Sequence, residues 1–157
     1  MAIIDGEPVY VFKKVQLLAL DLHTRFSSSQ PDLFYFHDID QLTIFADNVI
    51  PTMLHRLYII PLAVAEDATQ QQSNLIRDLK EDLQTGRETK YERSFILRAA
   101  AADACETIVQ MARERSDAPA FIKKMTAPEI DAYLWQIAKK GEMRDVVRFC
   151  DPNTVFF

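Results

Sequence analysis

Apolar residues recur at three- and four-residue spacing through most of this chain, and that period constrains its fold more than any other feature. A helix brings positions i, i+3, i+4 and i+7 onto one face, whereas a strand alternates every second residue. The clearest case is the alanine-rich run Glu92–Arg115, where Phe95, Ala99, Ala102, Cys105, Ile108, Val109 and Ala112 suit a long central helix. Small side chains there let neighbouring helices approach closely. Only Gly6, Gly86 and Gly141 are glycine, and they are isolated, which argues against a glycine-rich phosphate loop. The expectation is an all-α fold: a single helical domain over residues 1–157.

The remaining elements follow from local signals. The first helix is expected over about residues 9–26, where Val11, Val15, Leu18, Leu22 and Phe26 make one apolar stripe. Ser27–Pro31 ends it, and the aromatic run Leu33–Phe36 reads as a loop packed on the core. Asp40 is expected to cap a second helix with Leu42, Phe45, Val49, Met53 and Leu57 on its buried face, kinked or split by Pro51. Residues 66–85 read as a surface helix with a narrow seam of Leu75, Ile76, Leu79 and Leu83, stopped at Gly86. Thr126 and Glu129 form a capping-box pattern ahead of Ile130, Tyr133, Leu134 and Ile137, which are expected to face inward. Residues 143–149 fit a short last helix, followed by the tail Asp151–Phe157.

Charge and composition limit the function classes. Hydrophobic residues make up 48% and charged residues 26%, enough for a real core in a soluble domain. The net charge is −5, a poor basis for binding polynucleotide, because neutralising phosphates with Lys and Arg dominates that affinity. A small charged substrate, a protein partner or a homo-oligomer fits better. The longest apolar stretches are broken by Asp21, Asp47 or Pro61, so no membrane span is expected. Two cysteines, Cys105 and Cys150, and no secretory segment point to a reducing, cytoplasmic setting. His23, His37 and His55 show no metal-ligand spacing with the cysteines, so neither metal nor cofactor is assigned.

Several polar residues interrupt the apolar pattern. Asp47, inside Leu42–Asp47, falls on the expected helix beside Thr43 and Leu54, where a partly desolvated carboxylate suits acid–base work or stabilisation of positive charge. A surface Asp bonded to Thr43 is the simpler alternative. Asp21 has Lys14 seven residues before it and Arg25 four after, a pattern that a local ion pair explains. Lys13 and Lys14 are point charges able to meet a phosphate, or simply solvated. Asp38 and Asp40 pair across Ile39, but capping accounts for Asp40. Asp131 and Trp135, one turn apart, could bracket a base by hydrogen bond and stacking, or be a half-buried Trp with a nearby Asp. Arg98 and Glu106 lie in the alanine-rich helix, where a buried Arg needs a partner or binds an anion.

Taken in order, these segments resemble the queuosine salvage protein family. Phe12–Leu22 is similar to the family's run of aromatic, Lys, Lys/Arg, Ala, Gln and an apolar stretch with Asp. Asp38–Asp47 resembles its most distinctive motif, which there continues Tyr-Arg-Val-Pro-Gln and here reads Asn48-Val49-Ile50-Pro51-Thr52. Arg98 and Glu106 fall where the family has Glu-Ile-Arg and a later Glu, with Ile96 in place of the first Glu. Glu129–Trp135 resembles its Ile-Asp-Tyr-Tyr-Leu-Trp segment, and Phe149-Cys150 with the aromatic tail its ending. The matches correspond to the family's C-terminal part; its N-terminal half has no counterpart here. The resemblance implies a helical fold similar to DNA glycosylases and a metal-free N-glycosidase that releases queuine from queuosine 5'-monophosphate. It implies Asp47 as the catalytic carboxylate and Lys13 or Lys14 as phosphate contacts. Asp131 and Trp135 would recognise the base, and Arg98 is a further substrate-binding candidate. The departures leave a second expectation beside it: a shortened, catalytically impaired relative that acts as a binding or partner-dependent module.

Overall fold

The structure, a computed structural model, describes residues 1–4 and 6–152. A small antiparallel hairpin of β1 (Ala2–Ile4) and β2 (Glu7–Val9) opens the chain, with Ala2 opposite Val9. Seven helices follow among the described residues: α1 (Lys13–Phe26), α2 (Pro31–Phe34), α3 (Val49–Arg56), α4 (Gln70–Thr85), α5 (Tyr91–Glu114), α6 (Ala120–Lys123) and α7 (Ala127–Ile137). Short 3-10 turns occupy Ile39–Gln41 and Gly141–Asp145. The fold is mostly helical, as the apolar period requires.

Helix α5 is the axis of the molecule. α3, α6, α7 and β1 all pack on it. Ala101, Cys105 and Val109 present its buried face to Ile50, Met53 and Leu54 of α3 and to Ile130 and Leu134 of α7. Of the small side chains at 99–102, Ala101 is fully buried and Ala99, Ala100 and Ala102 are partly buried. A second cluster joins α4 to the N-terminal half of α5: Leu79 and Leu83 meet Leu97 and the fully buried Phe149. Arg93 of α5 adds ion pairs to Asp78 at 2.8 Å and Asp82 at 2.9 Å of α4.

Helix ends follow local chemistry where short-range signals decide them. Thr69 and Gln72 form a reciprocal capping box at the start of α4, and Thr126 and Glu129 do the same for α7. Gly86 ends α4 with φ +64, and a Cβ there would lie 2.3 Å from Val147 Cγ1. Glycine is required by both conformation and space.

Other expectations are corrected. The first helix starts at Lys13, because Glu7–Val9 is paired in the hairpin. Leu33–Phe36 is not a core-packed loop. Pro31–Phe34 is one helical turn, Phe34 packs on Phe26 of α1, and the Phe36 amide donates to His23 Nδ1. Asp40 lies inside a 3-10 turn and caps no second helix. Residues 42–48 are non-helical, and α3 begins at Val49, so Pro51 sits in its first turn and introduces no kink. Leu57 and Tyr133 are exposed rather than inward-facing. Gly141–Asp145 is a 3-10 turn, after which the chain runs past Glu88, which bridges to Cys150. The tail from residue 153 lies outside the described residues.

No helix among the described residues is long and apolar enough to cross a membrane. Among those residues, no group of three or more His, Cys, Asp and Glu side chains is placed to hold a metal ion.

Candidate functional site

Asp47 is the point where α1, α3 and α7 meet. It ends the non-helical segment that leads into α3 and is only 5% exposed. Its Oδ1 accepts from the Val49 amide at 2.7 Å and the Ile50 amide at 3.2 Å. Those amides belong to the first turn of α3, where helix geometry leaves N–H groups without carbonyl partners. The carboxylate therefore caps the helix and sits in its positive dipole end. Its Oδ2 accepts from Trp135 Nε1 at 3.0 Å and lies 3.5 Å from Lys13 Nζ. This replaces the expected placement on a helix flank beside Thr43. Thr43 instead hydrogen-bonds the Gln16 carboxamide at 3.0 Å, tying α1 to the same segment.

The other candidates divide sharply. Lys13 reaches the carboxylate; Lys14, about 100° further round the helix, is exposed. Asp131 is buried and accepts from the Phe45 amide at 2.9 Å, fixing the segment two residues before Asp47. Burial pushes the Asp131 carboxyl up to about 6; the Phe45 amide opposes that rise and the nearby Asp47 charge adds to it. Trp135, one turn further along α7, remains 39% exposed, with Lys139 Nζ 3.4 Å from its ring centroid. Its indole thus bonds Asp47 at one edge, carries a cation on its ring, and retains surface for a ligand.

Arg98 lies behind the segment, 1% exposed, and donates to the Ala46 carbonyl at 2.8 Å. Burial lowers its pKa, while Asp151 and Asp47 oppose that shift. Asp151 is itself buried and accepts from Ser94. Glu106 is exposed on α5. Asp21 makes no ion pair with Lys14 or Arg25 among the described residues.

Sequence reasoning missed Gln16, Thr43, Lys139 and Asp151. A signal existed for Lys139, which is four residues after Trp135 on a helix-length pattern. None existed for Asp151, whose partners are 57 residues away in sequence.

A small cavity of about 80 Å³ adjoins this cluster, lined in part by Tyr10, Phe12, Lys13, Gln16, Thr43 and Arg98. A larger cleft of about 620 Å³ is lined by Thr52, His55, Arg56, Lys80, Glu142 and Asp145 among others. It shares no residue with the carboxylate cluster, and its charges are mixed. Size favours the larger cleft, whereas the converging polar groups lie beside the smaller one.

Fold and site together define a mostly helical protein with a fixed, nearly buried carboxylate beside a lysine and a partly exposed tryptophan. The chain belongs to the queuosine salvage protein family, whose model matches residues 1–157. It is similar to a queuosine 5'-phosphate N-glycosylase/hydrolase from Sphaerobacter thermophilus, with 43% identity over 60 residues. That stretch is 38% of this chain and 18% of the relative, so well under two thirds of the relative is matched. No solved structure matches the chain.

Proposed function

We propose that this protein is an N-glycosidase that hydrolyses queuosine 5'-monophosphate and releases queuine for transfer-RNA queuosine salvage. One observation carries the reading: the buried Asp47 carboxylate, held by two backbone amides and the Trp135 indole with Lys13 3.5 Å away. Breaking an N-glycosidic bond builds positive charge on the ribose, as in oxocarbenium-like glycoside chemistry. A carboxylate already oriented by donors stabilises that charge without reorganising. Asp47 is the catalytic residue in this reading, through its Oδ2, the oxygen turned to Trp135 and Lys13. It also orients or activates the attacking water.

Lys13, at a loose 3.5 Å from Asp47, is the phosphate contact. The 80 Å³ cavity beside it suits a compact group of that kind, while a whole nucleotide needs several hundred Å³. Ribose and base would extend over the open side, where the exposed part of Trp135 stacks on the base. In this reading Asp131, one turn away with its carboxyl raised to about 6, hydrogen-bonds the base. Arg98 holds the Ala46 carbonyl and so supports the loop from behind.

The experiment is to incubate the chain with queuosine 5'-monophosphate and measure free queuine, for the native protein and Asp47→Asn. Release that disappears in the variant supports the reading; equal release from both overturns the assignment of Asp47. A second reading is a shortened, catalytically impaired relative that works as a binding or partner-dependent module. The burial of Val49 and Thr52, where the family motif carries polar Arg and Gln, favours it. Absence of queuine release, with nucleotide binding retained, supports that second reading.

A further inference from the structure

Helix α1 has two unlike faces. One carries Lys13, Gln16 and His23, which bond Asp47, Thr43 and the Phe36 amide. The opposite face is apolar and open: Val15 is 66% exposed and Leu18 59%, with the half-buried Leu22 at its edge. No residue of α1 is fully buried. Val15, Leu18 and Leu22 are spaced three and four residues apart, the a/d spacing of paired helices. Lys14 and Asp21, one heptad apart, are exposed along one flank of that stripe, and they form no ion pair among the described residues.

We propose that this face pairs with α1 of a second copy of the chain, antiparallel across a two-fold axis. The argument for a second copy is charge complementarity. A register that sets Val15 against Leu18 of the other copy also sets Leu18 against its Val15, with Leu22 flanking the contact at each end. On the flank of that same register, Lys14 meets Asp21 of the second copy, and Asp21 meets its Lys14. Two-fold symmetry forms both ion pairs together, because the interface is the same patch used twice. The two flanking charges, unpaired among the described residues, thus acquire partners in the arrangement that covers the apolar stripe.

A helix of four turns buries less surface than a standard stable interface, so the dimer is weak and concentration-dependent. The test is sedimentation equilibrium of the whole chain over roughly 10 to 500 µM, a range suited to micromolar association. Lys14→Asp and Asp21→Lys each turn both attractive pairs repulsive and should weaken the dimer roughly tenfold. The double reversal restores opposite charges and should restore the native dissociation constant. Both positions are exposed, so circular dichroism and melting curves should be unchanged. A native chain that stays monomeric across the range overturns the proposal. So does a dimer indifferent to the single reversals, or a monomer that uses this face for a different polypeptide.

Discussion

Asp131→Asn should stabilise the protein progressively as pH rises. In the folded state the Asp131 carboxyl is raised to about 6, chiefly by burial, against 3.8 for an unperturbed Asp. Between those values the folded protein holds a proton that the unfolded chain has lost. Raising the pH therefore favours unfolding through this group, at about 1.4 kcal/mol per pH unit. The contribution is fully present below 3.8 and lost as pH rises through 6. Over roughly two units the loss approaches about 3 kcal/mol, an upper figure because Asp131 is coupled to the Asp47 charge. Asparagine keeps an acceptor for the Phe45 amide and does not titrate. Its own amide group shifts stability by some constant amount, but that offset does not change with pH. The informative quantity is the difference in unfolding free energy between variant and native protein, from urea titrations at pH 4 to 8. It should grow in the variant's favour by about 2–3 kcal/mol between pH 4 and 6.5, then level off. A difference that stays flat over that range would refute the argument that burial controls this carboxyl.

Four further outcomes follow. Asp47→Asn should lower queuine release on the order of 10²–10³-fold, read from initial rates, if a fixed charge stabilises the transition state. The same variant keeps an oxygen for the Val49 and Ile50 amides, whereas Asp47→Ala removes the cap of α3 and should cost about 1–2 kcal/mol in a denaturant melt. Gly86→Ala should destabilise by about 1–3 kcal/mol, because φ +64 and the 2.3 Å approach to Val147 both penalise a side chain. Arg98→Met should cost about 3–5 kcal/mol, measured the same way, since the buried Asp151 and the Ala46 carbonyl lose the guanidinium between them.

Much of this molecule is legible from spacing alone. The apolar period over 92–115 marks α5, the Thr126–Glu129 pair marks the start of α7, and Gly86 marks the end of α4. Each rests on interactions within one or two turns, so a single sequence contains all the partners. The segment around Asp47 behaves differently. Leu42, Phe45, Val49 and Met53 have helical spacing, yet residues 42–48 are non-helical. There the Phe45 amide bonds Asp131, 86 residues away, and the Ala46 carbonyl bonds Arg98, 52 residues away. Those tertiary hydrogen bonds replace the local ones that a helix would make, and no propensity reports them.

The candidate site divides along the same line. Sequence named Asp47, Lys13, Lys14, Asp131, Trp135 and Arg98 as candidates, with their roles implied by the family resemblance. Only the packing of α1, α3 and α7 brings Lys13 and Trp135 to one carboxylate oxygen and gives Asp47 its capping role. The choice of Lys13 over Lys14 was likewise decided by which face of α1 meets the 42–48 segment. Local spacing determines which residues share a helix face, because that depends only on the period of the helix. What each face touches depends on contacts between residues far apart in the chain, and only the tertiary structure decides those.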